Sequence, residues 1–218
     1  DTIGTGVTYL ANSTILSWLS SAITVRRPLQ INGNVTLGRD ANGSLTFTNW
    51  VNLGGATRTI TVVRTNTISG GITNGGLEKA GSTGGGVLIL SGANTYTLGT
   101  LVSAGTLQIG AGSTAGSVAG NMTNTALVLF NRSDALTHEG FIAGTCWIDK
   151  QGAGTLTLTN ANTYSGGTLV TAGRLHGDTK GIQGNITNNA VVEFNLGAAG
   201  TYGGIMSGTG ELVKQGLS

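Results

Sequence analysis

Two stretches of this chain are near-copies of each other. Residues 85–110 read GGVLILSGANTYTLGTLVSAGTLQIG and residues 153–178 read AGTLTLTNANTYSGGTLVTAGRLHGD, an offset of 68 with 14 of 26 positions identical. A match of that quality marks an internal repeat, and fixed-period repeats are the sequence sign of stacked architectures. The identities are themselves patterned. Thr155-Leu156-Thr157-Leu158-Thr159 alternates hydroxyl and aliphatic side chains, as a strand with one buried face does, and Ala-Asn-Thr-Tyr follows it at 93–96 and at 161–164.

Working outward, a second block follows each copy. GNMTNTALVLFN (120–131) matches GNITNNAVVEFN (184–195), and GFIAGTCWIDKQG (140–152) matches GGIMSGTGELVKQG within 203–216, both at an offset of 64. The difference of four from 68 falls in the loop AGSTAGSVAG, which is shorter in the second copy, DTKGIQG. A diverged third copy opens at Gly33-Asn34-Val35-Thr36 and closes at Leu77-Glu78-Lys79-Ala80-Gly81, so Lys-x-Gly signposts stand at Lys79, Lys150 and Lys214. Similar alternation at Ser44–Thr48 and Thr59–Val62 extends the strand pattern toward the N-terminus. Within Val192-Glu193-Phe194 the alternation sends Glu193 to water and its neighbours inward; in Val128-Leu129-Phe130 it places Leu129 outside.

Composition supports the same class. Gly (39), Thr (34) and Asn (18) together make up some two-fifths of the chain, charged residues are only 9%, and there is one proline, Pro28. Helical bundles do not tolerate so much glycine, disorder requires more charge and less hydrophobic content, and no apolar run reaches the roughly 20 residues of a membrane helix. The expectation is an all-β fold. A repeat of 64 to 71 residues built from short strands divides into three layers of about 21 to 24 residues. Stacked in parallel, these give a parallel β-helix (β-solenoid) of about 9–11 coils, with Gly and Asn at the corners and one continuous axial core. Residues 1–42 are read as an N-terminal cap and first coils, and 43–218 as the repeat β-helix, with repeats ending near 81, 152 and 216. The segment Leu10–Ser20 admits an amphipathic stretch or irregular strands.

The repeated residues also carry a resemblance. Gly154 to Leu175, with its Gly-Thr-Leu-Thr-Leu, Ala-Asn-Thr-Tyr-Ser-Gly-Gly-Thr and Ala-Gly-x-Leu elements, resembles the passenger-associated β-strand repeat of Gram-negative autotransporters; the copy at 86–107 departs from it at Thr97 and Leu98. The resemblance implies a right-handed helix exported through the outer membrane by a C-terminal β-barrel, located at the cell surface or secreted. It implies a fragment of a longer chain that continues past Ser218 into that barrel, and a non-enzymatic, monomeric stalk or adhesive scaffold whose partners are glycans or proteins of host or neighbouring cells. Low charge and a lone Cys146 suit threading through a narrow pore. A net charge of +2, scattered along the chain, gives no reason to expect nucleic acid.

Chemistry is sparse. Asp134, His138, Glu139 and Asp149 are the densest ionisable group, but the second copy has Ala198, Tyr202, Gly203 and Val213 in their places. They are read as a solvated loop rather than a catalytic set, and no catalytic residue, cofactor or metal is expected. His176 is placed at the surface or a corner, and Tyr96 and Tyr164 over turns. Asn-x-Ser/Thr sequons at Asn12, Asn34, Asn42, Asn121, Asn131 and Asn185 reflect composition. Trp147, where the second copy has Glu211, is expected to point outward, and with Asp134, His138 and Glu139 it forms the candidate partner-contact set. The rival classes are a β-helical polysaccharide hydrolase or lyase and a filament or phage-tail-like fibre.

Overall fold

The computed structural model describes residues 6–15, 21–38, 43–81, 85–145 and 147–216. Every strand in it pairs in parallel with the strand one circuit of chain before or after it. Short runs of Thr, Val, Ile and Leu are punctuated by Gly and Asn too often for any strand to exceed six residues. The chain therefore turns three times per circuit and stacks each circuit on the last. One coil shows the plan: Leu29–Ile31 on a first side, Val35–Leu37 on a second and Leu45–Phe47 on a third. The third side is an unbroken ladder of ten strands, so the chain makes about ten coils, about 43 Å from first strand to last at a strand spacing of about 4.8 Å. The expected parallel β-helix is borne out, and Cys146 and the stretch 16–20 of the Leu10–Ser20 segment lie outside the described residues. In the rest of that segment Leu10 ends the strand Thr8–Leu10, Ala11 and Asn12 bend, and Ser13–Ile15 is again strand, the two strands pairing with Leu29–Ile31 and Val35–Leu37.

The first side is interrupted. It begins as a four-stranded sheet ending at Ile72–Thr73 and resumes as a five-stranded sheet from Leu136–His138. Between them Ala93–Thr95 and Ser117 carry the side, joined by a single parallel bridge between Ala93 and Ser117. The second side has eight strands and stops at Thr163–Tyr164; beyond it residues 178–184 and 197–204 run as loops.

Alternation decides the core. On the third side Phe47, Ile68, Leu90, Ile109, Phe130, Lys150 and Val170 stack in register, all pointing inward. Together with the inward rows of the other sides they form one contiguous cluster from Leu29 to Leu196. Burial of these apolar side chains, at about 25 cal/mol per Å², favours stacking of each coil on the last.

The repeat is not three whole layers, and that expectation is corrected. Glu78 pairs with Leu101, Leu101 with Thr123 and Thr123 with Ala143, three coils up the second side. The repeat equivalent of Glu78 is Asp149, six residues beyond Ala143, and it sits on the third side. From Asp149 the ladder climbs through Leu169, Thr187 and Ser207, and the next equivalent, Val213, lies on the first side. The coils run 23, 22 and 20 residues in the first of these repeats and 20, 18 and 20 in the second, so three of them fall short of the repeat length. One sequence repeat therefore takes three and one-third coils, and each copy is turned by one side relative to the copy before it.

Candidate functional site

The repeated corner is built the same way on both sides where it occurs. Asn94 is 2% exposed; its Oδ1 accepts the Ile72 N–H at 2.9 Å from the coil before, and its Nδ2 donates to the Ser117 carbonyl at 2.7 Å in the coil after. Asn162 repeats this with the Ile142 N–H and the Gly181 carbonyl, both at 2.6 Å. One amide thus ties three successive coils. Tyr96 and Tyr164 lie inside, each phenol hydrogen-bonded to a buried threonine four residues on, Thr100 at 2.7 Å and Thr168 at 2.9 Å. Burial pushes both phenols well above their ordinary pKa. These tyrosines close turns, as expected, and offer nothing to a ligand.

The Lys-x-Gly signposts hold a function that spacing alone does not reveal. Lys79 and Lys150 are 0% and 2% exposed and point into the core. The Lys79 ammonium donates to the carbonyls of Gly86 at 2.5 Å and Ala104 at 2.6 Å; Lys150 donates to Gln151, Gly152 and Ala172 at 2.8, 2.9 and 3.0 Å. Ala104 and Ala172 are equivalent positions one coil further on, each followed by a glycine with φ near +70°. At Gly105 a Cβ would collide with the Lys79 ammonium, so only glycine admits the contact. Each lysine therefore staples its coil to the next by donating to backbone carbonyls at the corner. Desolvation lowers both ammonium groups from 10.5 to about 8. The signal is in the alternation: Leu77-x-Lys79 and Ile148-x-Lys150 put lysine on the inward set.

The candidate contact residues are not gathered into one patch. Asp134 precedes the first-side strand Leu136–His138, Glu139 follows it, and Trp147 opens the third-side strand Trp147–Gln151. Asp134 forms a bidentate pair with Arg132 at 2.7 and 2.8 Å, and Arg132 also holds the carbonyls of Thr114 and Gly116 at 2.7 Å, pinning the long loop of the first copy. His138 corrects the solvated-loop reading. It is 2% exposed, packed against Phe130 at 6.2 Å between ring centroids, and burial lowers its pKa. Its Nε2 has no protein partner among the described residues. Glu139 is exposed. Asp149 is buried beneath bonds from Gln151 and Thr171. Glu193 leaves the core on the expected side but does not reach water: Arg174 and His176, one coil before, cover it. Val192 and Phe194 are inside and Leu129 is half-exposed outside, as the alternation requires. Among the described residues no group of three His, Cys, Asp or Glu is placed to hold a metal ion.

Two open features stand close together near the corner between the second and third sides. Trp147 is 48% exposed, with its ring beside the backbone of Gly167 in the next coil; a Cβ on Gly167 would stand 3.2 Å from the indole. Where the second side loses its strands, a cleft of about 320 Å³ opens between the loops 178–184 and 197–204, lined by Thr179, Gln183, Asn185, Tyr202 and Gly203 among others. Tyr202 rests on Phe194 at 5.1 Å and its hydroxyl donates to the Gly184 carbonyl. No motif announces this cleft, because it arises from a shortened coil.

Comparison with known proteins agrees with the repeat. The family described as passenger-associated-transport-repeat matches residues 83–109 and 148–176. The chain is 38% identical over 163 residues to a protein named adhesin BmaC autotransporter from Brucella suis biovar 1 (strain 1330), an alignment covering 63% of this chain. The chain spans about 5% of the length of that curated relative. No solved structure matches it.

Proposed function

We propose that this chain, an autotransporter-passenger repeat protein, serves at the surface of a Gram-negative cell as a rigid, non-enzymatic scaffold for adhesion. The observation that carries this reading is the uninterrupted ten-strand ladder on a single axial core. Such a body resists bending because every coil is tied to both neighbours, and what it displays is held at a fixed distance from its base. The name of the relative, an adhesin, favours the same role.

The titratable groups support a scaffold over a hydrolase or lyase. Acid–base cleavage of a glycan needs two carboxyl groups facing one substrate. Here Glu78 is bonded to Thr59 and Ser103, Asp134 to Arg132, Asp149 to Thr171 and Gln151, and Asp178 to the Lys180 and Gly181 amides. Each of these carboxylates is occupied in holding coils or loops together. Outer-membrane attachment through a C-terminal β-barrel of the whole protein belongs to this proposal. The test is to express the full-length protein, label intact cells with antibody against this segment, and incubate the purified segment with neutral and anionic polysaccharides. Surface labelling without glycan turnover is expected. Labelling only after lysis, or release of reducing ends, would overturn the reading.

A further inference from the structure

We propose that the gap on the second side, together with Trp147, is a binding site for an uncharged saccharide. The proposal goes beyond the scaffold role and rests on separate observations. The cleft lies where strands give way to loops on an otherwise closed scaffold, the kind of place where binding residues are grafted. At about 320 Å³ it is at the small end of ligand sites, suited to one or two sugar residues.

Its polar groups are pre-set. Gln183 is anchored through its amide nitrogen, which donates to the carbonyls of Thr179 at 3.0 Å and Lys180 at 2.8 Å, leaving its amide oxygen to accept. Asn185 is anchored the other way, its oxygen accepting the Ile205 N–H at 2.9 Å, leaving the NH₂ to donate. A donor beside an acceptor is what neighbouring sugar hydroxyls require, since each hydroxyl both gives and takes a hydrogen bond. No lining residue carries a charge. Burial pushes the Tyr202 phenol up to about 12, so it is neutral at physiological pH. A phosphate, a sulfated sugar or a metal ion would find nothing to neutralise it.

The apolar half of the site stands alongside. Trp147 is opposite Gly167, and Gly167 is opposite Asn185, because Thr168 donates to the Asn185 carbonyl and pairs with Ile186. Two coil spacings put the Trp147 backbone about 10 Å from that of Asn185. One row along the same corner thus presents an exposed indole and then the amide cleft. A sugar has an apolar C–H face and a polar hydroxyl edge, and a short oligosaccharide laid along the axis meets both.

Two variants, Trp147→Ala and Gly203→Leu, test this without disturbing the fold. Trp147 is largely outside the core. Gly203 lines the cleft and a Cβ on it meets no atom within 4 Å, so a side chain begins there in open space, and leucine adds apolar bulk at the site. The segment and both variants are applied to an array carrying galactose-, glucose-, mannose- and N-acetylhexosamine-terminated glycans beside sialylated and sulfated ones, with thermal melting as the control. The expected result is binding to a neutral glycan, weakened about tenfold by each variant, a loss of ~1.4 kcal/mol, at unchanged melting temperature. Absence of binding to every neutral glycan, preference for acidic glycans, or full retention by Gly203→Leu would overturn it. None of these failures touches surface display, which the antibody experiment measures.

Discussion

The copies at 85–110 and 153–178 are identical at more than half their positions and share the same local chemistry, yet they face different directions. In the first, the strand Val87–Leu90 is on the third side; in the second, Thr155–Leu158 is on the first. The Asn, Tyr and Lys contacts survive this turn almost unchanged, because each depends only on the coils immediately before and after. What does not survive is the loop that follows. After the first copy, 110–119 runs on the first side and is clamped by Arg132 and Asp134; after the second, 178–184 runs on the second side and leaves the cleft. Corner chemistry is thus set by sequence, position around the axis by coil length, and the accessible surface by the loop between.

The likeness of the two copies is under greatest load at the buried corners. Tyr96→Ala and Tyr164→Ala each remove a buried ring and should lower stability by ~3–5 kcal/mol, by similar amounts on the two sides, in equilibrium denaturation. A marked inequality would show that the corners are not equivalent. Lys79→Met takes the ammonium away from the Gly86 and Ala104 carbonyls, of which Gly86 keeps the Thr106 N–H, and should destabilise by about 1–2 kcal/mol. The same variant carries a pH signature. The folded state releases the Lys79 proton at about 8 and the unfolded chain only at 10.5, so between those values the unfolded state holds more protons and stability rises with pH. Lys79→Met should flatten that rise without abolishing it, because Lys150 remains.

Smaller effects separate the two loops. Arg132→Ala should release the 110–119 loop at ~1–2 kcal/mol and raise hydrogen exchange there, leaving 178–184 unaffected. His138, whose counterpart is Tyr202, has a folded-state pKa lowered by burial from 6.5. Below that value the unfolded chain binds the proton more readily, and stability falls on acidification; His138→Phe should reduce that acid sensitivity in pH-dependent melting. Trp147→Ala should change stability by less than about 0.5 kcal/mol.

Much of this is legible in the sequence. The offset of 68 points to stacking, and the period-2 pattern of Thr155–Thr159 assigns the faces. The fractional repeat is harder to see, because the repeat length divides just as readily into whole layers. Yet Leu88 with Leu107 and Val128 with Ile148, alike in chemistry and direct neighbours across one coil, carry the true coil length. Alternation assigns Glu193 its correct side, but its shielding depends on Arg174 and His176 lying one coil away, a neighbour relation that follows only from register. The cleft is hidden for the same reason: Gln183, Asn185 and Tyr202 are brought together by stacking two short loops.

The rotation of the repeat is open to one direct measurement, pulsed electron–electron distances between spin labels at outward positions. Ile89 and Leu169 lie four coils apart on the same side, about 19 Å at about 4.8 Å per coil. Leu101 and Leu169, the repeat equivalents, lie on different sides and should be further apart than that. If instead the copies stacked in register, Leu101 and Leu169 would give the shorter distance, about 14 Å for three whole coils, and the turn of one side between copies would not exist.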